Sequence, residues 1–339
     1  MKTKIIIALC ASLVVLLFGI ALGSVYISPG DIFSIIGHRA LGLELPAGVG
    51  GTTVSIMWDM RLPRALIAFI AGAALSVSGA VMQSVLRNPL ASSYTLGVSS
   101  GASLGAAIVI LYGVTIPLMN AFTLPFVGFV FGFGTILLAI SFASRLDSRM
   151  ENNTIILVGM VFSLFINAVT TLMAALSREY MQQLVFWQMG SFSMRGWQPV
   201  FILMPVLVIG SLFIICHNRE LDMMTFGEEQ AKTMGVRLSR VKWLLLLMSA
   251  ALTGSVIAFV GVIGFVDLVA PHIVRKLFGS THRVVLPMSA LFGGAFMVIC
   301  DLIARTIISP SELPVGVVTA ILGAPFFAYI YFSKRAKNR

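Results

Sequence analysis

The sequence predicts an all-α polytopic membrane protein, a single transmembrane domain over residues 1–339 with about ten helices. Hydrophobic residues make up 58% of the chain and charged residues only 11%, whereas about 25% of residues in soluble proteins are charged. Apolar stretches long enough to cross a lipid bilayer as helices recur along the whole chain. They lie at residues 5–27, 62–86, 94–112, 117–143, 153–176, 199–216, 242–262, 266–278, 284–304 and 315–332.

Two of these stretches need a separate argument. Residues 5–27 follow a basic N-terminus, as the core of a secretory signal peptide does, but the apolar run is longer than such a core and is interpreted as the first span. Residues 266–278 are short for a full crossing. We separate them from 242–262 because glycines and a proline interrupt the apolar pattern between Gly261 and Pro271.

The distribution of lysine and arginine predicts which side of the membrane each loop faces. Cytoplasmic loops are enriched in both residues, so an even number of spans with both termini in the cytoplasm is favoured. This topology leaves six of the 23 cations outside. They are Arg39, Arg61, Arg64, Arg178, Arg195 and Arg305.

All six external cations are arginines, whose guanidinium group binds carboxylates in a bidentate manner. One hypothesis is therefore an external partner that presents Asp or Glu. The alternative is that these arginines extend from helix ends toward the membrane surface, which fits Arg39, Arg178 and Arg195 at least as well.

A weak internal repeat suggests a doubled architecture. Three positions recur at a constant offset of 182 residues. They are Gly79, Pro89 and Gly97 in the first copy, and Gly261, Pro271 and Gly279 in the second. The offset corresponds to an odd number of spans, so the two copies must cross in opposite directions, an arrangement common in transporters.

Residues 217–242, here called the island, form the one long polar segment deep inside the chain and are predicted to be a cytoplasmic loop. Thr225 and Glu228 have the spacing of a capping box, in which both side chains bind free amides at a helix start. Gly235 supplies the left-handed residue that commonly ends a helix. The pattern predicts a short helix outside the membrane, and a solvated loop that happens to be helical is the plainer alternative.

The chain lacks the motifs of catalysis. It contains no Gly-Lys pair and hence no phosphate-binding P-loop, and no HExxH motif, and its histidines and cysteines stand apart from one another. Ser99 and Ser103, each between two glycines, lie in the run of small residues at 97–107, which is interpreted as helix packing. We therefore expect no catalytic residues, no metal site and no cofactor bound by this chain. The net charge of +10 follows the membrane topology, so no nucleic-acid partner is expected.

Ionisable residues are also scarce inside the predicted spans. Asp267 and Asp301 come nearest, both close to predicted external ends, and Asp301 lies four residues before Arg305, where a local helical ion pair would form. Ion-coupled transporters usually carry ionisable groups at membrane depth. A pathway with few charges suits a large, partly apolar solute, such as a metal already held by a chelator, better than a bare ion.

Several stretches carry a family resemblance. They are MRLPR at 60–64, SGAVMQSVLRNPLASSYTLGVSSGA at 78–102, FWQMGSF at 186–192, FGEEQAKTMGV at 226–236, GFVDLVAPHIVR at 264–275, DLIAR at 301–305 and ELPVGVVTAILGAPFF at 312–327. In order and spacing they resemble the FecCD-type permease subunit of type II ABC importers, which take up iron siderophores, haem and vitamin B12. The resemblance implies the type II permease fold, with ten helices and an inverted-repeat-like arrangement.

The resemblance also implies roles for particular residues. A coupling helix that docks on a separate ATPase subunit would include Thr225, Gly227, Glu228, Glu229, Ala231 and Gly235. Pairing with glutamates of an external substrate-binding protein would involve Arg61, Arg64 and Arg305. A gate at the start of the fifth span would include Asn152, Asn153 and Thr154, where the family often has smaller polar residues.

The expected function follows from this resemblance. The chain would be the permease of an ATP-binding-cassette importer in a bacterial cell membrane. It would act as a homodimer with two ATPase subunits, which use ATP and Mg, and with an external binding protein. The substrate would be a metal chelate, ferric siderophore first, with haem and corrinoid permeases as alternatives within the family. An ion-coupled secondary transporter is the alternative from another class, and a receptor or assembly scaffold is a third.

Overall fold

A computed structural model describes residues 2–23, 26–46, 48–147 and 149–337, and the regular structure within them is entirely helical. The helices are α1 (Lys2–Ala21), α2 (Pro29–Leu41), α3 (Gly51–Ser55), α4 (Leu62–Val85), α5 (Val98–Tyr112), α6 (Thr123–Leu146), α7 (Asn152–Leu176), α8 (Met181–Gln188), α9 (Gln198–Cys216), α10 (Asn218–Thr225), α11 (Glu228–Thr233), α12 (Leu238–Val260), α13 (Val266–Phe278), α14 (His282–Thr306) and α15 (Val315–Lys337). A π-helical turn at Ile56–Arg61 joins α3 to α4.

The predicted fold class is confirmed, because a helix occupies each of the ten predicted spans. Within the described residues, seven helical segments are long and apolar enough to cross a membrane, and α5 and α15 contain shorter apolar helices. The tenth, α13, has 13 residues and follows the break that the sequence indicated.

Helix α4 lies at the centre of the bundle and packs against α9, α12, α13 and α14. Nearly all of its side chains are buried, because small residues allow neighbouring helices to approach closely. A Cβ atom on Gly72 would collide with the backbone of Gly293 in α14, and one on Gly79 with the backbone of Asp267 in α13. The small residues at 71–80 are therefore a packing surface.

The two ends of α4 define two ends of the bundle. Arg61 and Arg64 lie at the start of α4, which we call the arginine end. Arg87 lies two residues after the end of α4, and its guanidinium group lies beside Gly227 of the island. Helix α10 also packs against α4, so the opposite end is called the island end.

The chain between α12 and α13 runs inward from the arginine end instead of turning at the surface. Val262 lies against Gly316 in the first turn of α15, whereas Phe265 contacts Gly323, seven residues further along the same helix. At 1.5 Å per residue, the segment descends by about 10 Å. Helix α13 therefore begins inside the bundle, which explains why it is short.

Asp267, the second residue of α13, also lies inside the bundle, so its predicted place near an external end is wrong. Its carbonyl accepts a hydrogen bond from Gln83 Nε2 near the end of α4 (3.1 Å), and its carboxylate accepts one from the hydroxyl of Ser92. The hydroxyl of Tyr94 binds the carbonyl of Ile263 in the same way. An irregular segment is tolerated at this depth because side chains of other elements satisfy its polar groups.

The repeat at an offset of 182 residues does not join equivalent positions. Gly79 lies within α4 but Gly261 follows α12, and Pro271 lies within α13 but Pro89 lies in a loop. A doubled arrangement is nevertheless present in the helices themselves. Helix α4 is followed by an irregular segment and the short α5, and α12 by an irregular segment and the short α13.

Candidate coupling and docking sites

The island contains two short helices where the sequence predicted one. Helix α10 ends at Thr225, whose hydroxyl donates to the carbonyl of Asp222 (2.7 Å), and α11 begins at Glu228. Between them, Gly227 has φ +128° and ψ 156°, a conformation open essentially to glycine alone. The predicted capping box is therefore wrong, because Thr225 belongs to the preceding helix and no side chain caps the start of α11.

The predicted end of this helix at Gly235 is confirmed. Gly235 has φ +89°, and its amide donates to the carbonyl of Lys232 (3.0 Å). The amide of Val236 donates to the carbonyl of Ala231 (3.0 Å), which completes a Schellman motif. The side chain of Ala231 is fully buried, so this part of α11 is fixed to the protein.

The rest of α11 and its flanking residues face outward. Glu229 is exposed, and two large apolar side chains, Phe226 (64% exposed) and Met234 (54% exposed), lie just before and after the helix. An exposed set of apolar and charged groups on a short helix is typical of a protein interface. The residues predicted for coupling that are at least partly accessible are Thr225, Gly227, Glu228, Glu229 and Gly235.

Lys242, in the second turn of α12, connects the island to the start of α7. Its side chain is fully buried, and its ammonium group donates to Glu228 Oε1 (2.8 Å), Asn152 Oδ1 (2.8 Å) and the carbonyl of Met150 (2.7 Å). Sequence reasoning missed this role and counted Lys242 only as a cytoplasmic cation. The available signal was its place in an apolar span, since buried lysines almost always have a partner.

Five of the predicted gate and coupling residues line one polar groove of about 670 Å³ at the island end. Asn152 and Asn153, in the first turn of α7 with Thr154, line one side, and residues 227–230 line the other. Arg87 lies in the same lining. The structure therefore brings together two sets of residues that lie far apart in the sequence.

A second buried connection joins the island to the core through His282, the first residue of α14. The carboxylate of Asp222 in α10 accepts a hydrogen bond from the His282 amide (2.9 Å) and contacts its ring Nδ1 (2.6 Å). The other ring nitrogen contacts the hydroxyl of Ser84 in α4 (2.6 Å), to which Arg275 of α13 also donates (3.2 Å). Helix α10 is thus attached to α4, α13 and α14.

At the arginine end, Arg64 and Asp301 form a largely buried ion pair. Arg64 Nε and Nη2 donate to the Asp301 carboxylate at 2.9 to 3.1 Å, and Nη1 donates to Glu312 (2.7 Å). The side chain of Arg64 is 13% exposed and that of Asp301 is 3% exposed. The predicted local pair between Asp301 and Arg305 is longer, at 3.8 Å. Asp301 is therefore held mainly by a residue that is distant in the sequence.

Arg61 and Arg305 bind the C-terminal end of α1. Arg305 Nη2 donates to the carbonyl of Gly19, and Arg61 Nη1 donates to the carbonyls of Ile20 (3.3 Å) and Ala21 (3.0 Å). Carbonyls in the last turn of a helix have no partner within it, and the helix dipole favours a cation there. These two arginines therefore cap α1.

The three arginines predicted to dock an external binding protein thus all have partners within the chain, and their docking role stays a prediction. The charge of these arginines changes the pKa of Glu312, which lies in the loop before α15. Burial opposes its ionisation, but the hydrogen bond and charge of Arg64 outweigh burial, so the pKa of Glu312 lies below its usual value. The arrangement shows a structural role for the arginines in joining α1, α4 and α14.

Comparison with known proteins agrees with this geometry. The profile described as the FecCD transport family matches residues 10–333. YvrB, an uncharacterised ABC transporter permease of Bacillus subtilis, is 41% identical, with 96% of this chain and 92% of YvrB covered. YfmE, an Fe(3+)-citrate import system permease of the same organism, is 35% identical with 96% and 93% covered. An inward-facing structure assigned to the metal-chelate type of ABC transporter is similar with a TM-score of 0.85 and 27% identity, over 98% of this chain and 100% of the other.

Proposed function

Because this chain belongs to the FecCD transport family and is an ABC importer permease, we propose that it carries a metal chelate, with ferric siderophore as the first candidate. The similar structure of the metal-chelate type and the relative that imports ferric citrate support this class. The interior agrees with it, since Asp301 is paired with Arg64 and Asp267 is hydrogen-bonded to Ser92. Few ionisable groups are left for binding a bare ion, and haem and corrinoids are the alternative chelates.

The substrate is tested by uptake into proteoliposomes that contain the complete transporter, its binding protein and internal ATP. A ferric siderophore, haemin and cobalamin are supplied separately, each with its metal radiolabelled. We expect ATP-dependent uptake of the ferric siderophore. Uptake of haemin or cobalamin alone would reassign the substrate within the family. Uptake driven by an ion gradient without ATP would instead favour the secondary transporter.

The energy for transport would come from two separate ATPase subunits, which use ATP and Mg, bound to a permease dimer. The exposed surface formed by Phe226, Glu229 and Met234 carries this part of the proposal, because α11 projects it beyond the buried contacts of the island. Purification from native membranes followed by mass spectrometry is expected to find about two ATPases for each two permeases. A chain that purifies without an ATPase in mild detergent would contradict it.

Glu229→Arg tests the same surface directly. Reversing one exposed charge at an interface disturbs the partner without unfolding this chain, so we expect about tenfold less ATPase to co-purify. Glu44→Arg, the same change at an exposed residue outside the island, is the matched control and should co-purify normally. Normal ATPase binding by Glu229→Arg would remove α11 as the docking element.

The external binding protein would dock at the arginine end. Arg61, Arg64 and Arg305 are the cations proposed to meet its carboxylates, although each also has internal partners. The double variant Arg61→Glu with Arg64→Glu is expected to lose affinity for the binding protein, measured at low and moderate salt. Asp301→Asn disturbs the same packing but keeps the arginines, so equal affinity loss in this control would assign the effect to packing alone.

The proposed orientation places both termini of this multi-pass chain in the cytoplasm of a bacterial cell. The distribution of lysine supports this orientation, because every lysine falls on the side predicted to be inside. The test is protease access to a short tag fused at either terminus. Cleavage of both tags in inverted membrane vesicles, and of neither in intact spheroplasts, is the expected outcome.

A further inference from the structure

Lys242 carries a charge in the interior of the island end. Its ammonium group has three protons, and three oxygens within 2.8 Å accept them: Glu228 Oε1, Asn152 Oδ1 and the carbonyl of Met150. The acceptors belong to α11, to the first turn of α7 and to the segment before α7. Lys242 is fully satisfied while these three parts stay together.

Packing alone does not explain a lysine at this position. An apolar pair in place of Lys242 and Glu228 would fill the same space, and replacing both members of a buried ion pair by apolar residues is often neutral or stabilising. What an apolar residue would lack is a single atom, Nζ, in contact with both α11 and α7. Because the lysine stem is flexible and its three donors rotate, such a contact is able to persist while two helices change their angle.

The two ends of α11 are held in different ways. The C-terminal end is fixed by the Schellman motif at Gly235 and by the buried Ala231. The first residue, Glu228, is held by its ion pair with Lys242. A displacement of the exposed side of α11 therefore reaches Asn152 through two consecutive hydrogen bonds of 2.8 Å each.

We propose that Lys242 is a positioning residue that transmits movement of α11 to the first turn of α7, so that the two move together when α11 is displaced. This inference rests on the proposed function, in which an ATPase moves α11. It requires that loss of the ammonium group separates ATP hydrolysis from transport while the ATPase stays bound.

The first test compares Lys242→Met with Lys276→Met in proteoliposomes that hold the complete transporter. Both variants remove an ammonium group, but Lys276 is exposed on α13. We expect Lys242→Met to bind the ATPase normally. The amount of substrate that it transports for each ATP hydrolysed should fall by about fivefold or more. The control should keep the wild-type ratio, and an unchanged ratio in Lys242→Met would overturn the proposal.

The second test measures movement, which a merely structural role would not alter. Spin labels are placed at Thr233→Cys on α11 and Leu157→Cys on α7, in a chain whose three cysteines are replaced by alanine. With Lys242 present, the distance between the labels should have the same narrow distribution before and after ATP binds. In Lys242→Met we expect ATP to change that distance, and equal responses with and without the ammonium group would contradict transmission.

Two further variants keep the inference testable if Lys242→Met does not fold. Glu228→Gln retains an acceptor but removes the charge, and Asn152→Ala removes the acceptor on α7. Both should lower the ratio of transport to hydrolysis, and folded variants with a normal ratio would overturn the proposal. Failure of the proposed function itself looks different, because the wild-type chain would then bind no ATPase.

Discussion

The two ends of the bundle both bury cations, but the cations and the elements they join are different. At the arginine end, planar guanidinium groups bind the carboxylate of Asp301 and the carbonyls that end α1, and they join α1, α4 and α14. At the island end, Arg275 joins α13 to α4, but the fully buried cation is Lys242, whose compact ammonium group binds oxygens of α7 and α11. A guanidinium fixes the directions of its partners, whereas an ammonium group tolerates their rotation. The arginine end is suited to hold helices in place, and the island end is suited to keep moving parts connected.

Among the variants that test this comparison, Asp301→Asn is expected to change stability the most. The change removes the buried carboxylate and leaves Arg64 with only Glu312 as a carboxylate partner, and removing one member of a buried pair costs about 3–5 kcal/mol of unfolding free energy. Thermal unfolding of the purified chain in detergent measures this loss. A decrease of less than about 1 kcal/mol would show that the arginine end does not hold the bundle together.

A smaller and more local effect is expected for Asp222→Asn at the island end. The amide retains an acceptor for the His282 backbone but loses the charge beside the ring, so we expect a loss of about 1–2 kcal/mol. Because α10 is a short surface element, the loss should appear as faster amide hydrogen exchange in α10 rather than as a lower melting temperature. An equal increase in exchange throughout α4 and α14 would contradict the local character of this end.

The smallest effect is expected for Glu312→Gln, which removes the outer carboxylate of the arginine end. The Glu312 side chain is 38% exposed, and exposed pairs contribute less than about 1 kcal/mol. The pKa of Glu312 is lowered in the folded chain. The stability that its ionised carboxylate contributes is therefore complete above the pKa that Glu312 has in the unfolded chain, and is lost as the pH falls through its pKa in the folded chain. The stability difference from wild type should therefore shrink below about pH 4. Glu44→Gln, at an exposed residue, is the control.

Features that are local in the sequence were predictable. The apolar stretches located all ten spans, and Gly235 marked the end of α11 because a left-handed glycine has the same meaning in any context. The inward course of residues 261–265 was not predictable from hydropathy. It depends on Ser92, Tyr94 and Gln83, which come from another part of the chain.

The contacts that organise the candidate sites were also not predictable, because they join residues that are distant in the sequence. Spacing of four residues suggested that Asp301 pairs with Arg305, but the stronger partner is Arg64, 237 positions away. Lys242 reaches Asn152 across 90 positions. The false capping box has a different cause, since Gly227 lies between the matched residues and its backbone conformation separates two helices.

The capping of α1 has a consequence for how the chain is made. Helix α1 is made long before α14, yet it packs on α14, and Arg305 at the end of α14 binds its Gly19 carbonyl across 286 positions. During synthesis, α1 must therefore remain in the bilayer without this neighbour until α14 has also been inserted. A chain that stops before α14 would leave α1 with only the cap supplied by Arg61 and its packing on α2 and α4.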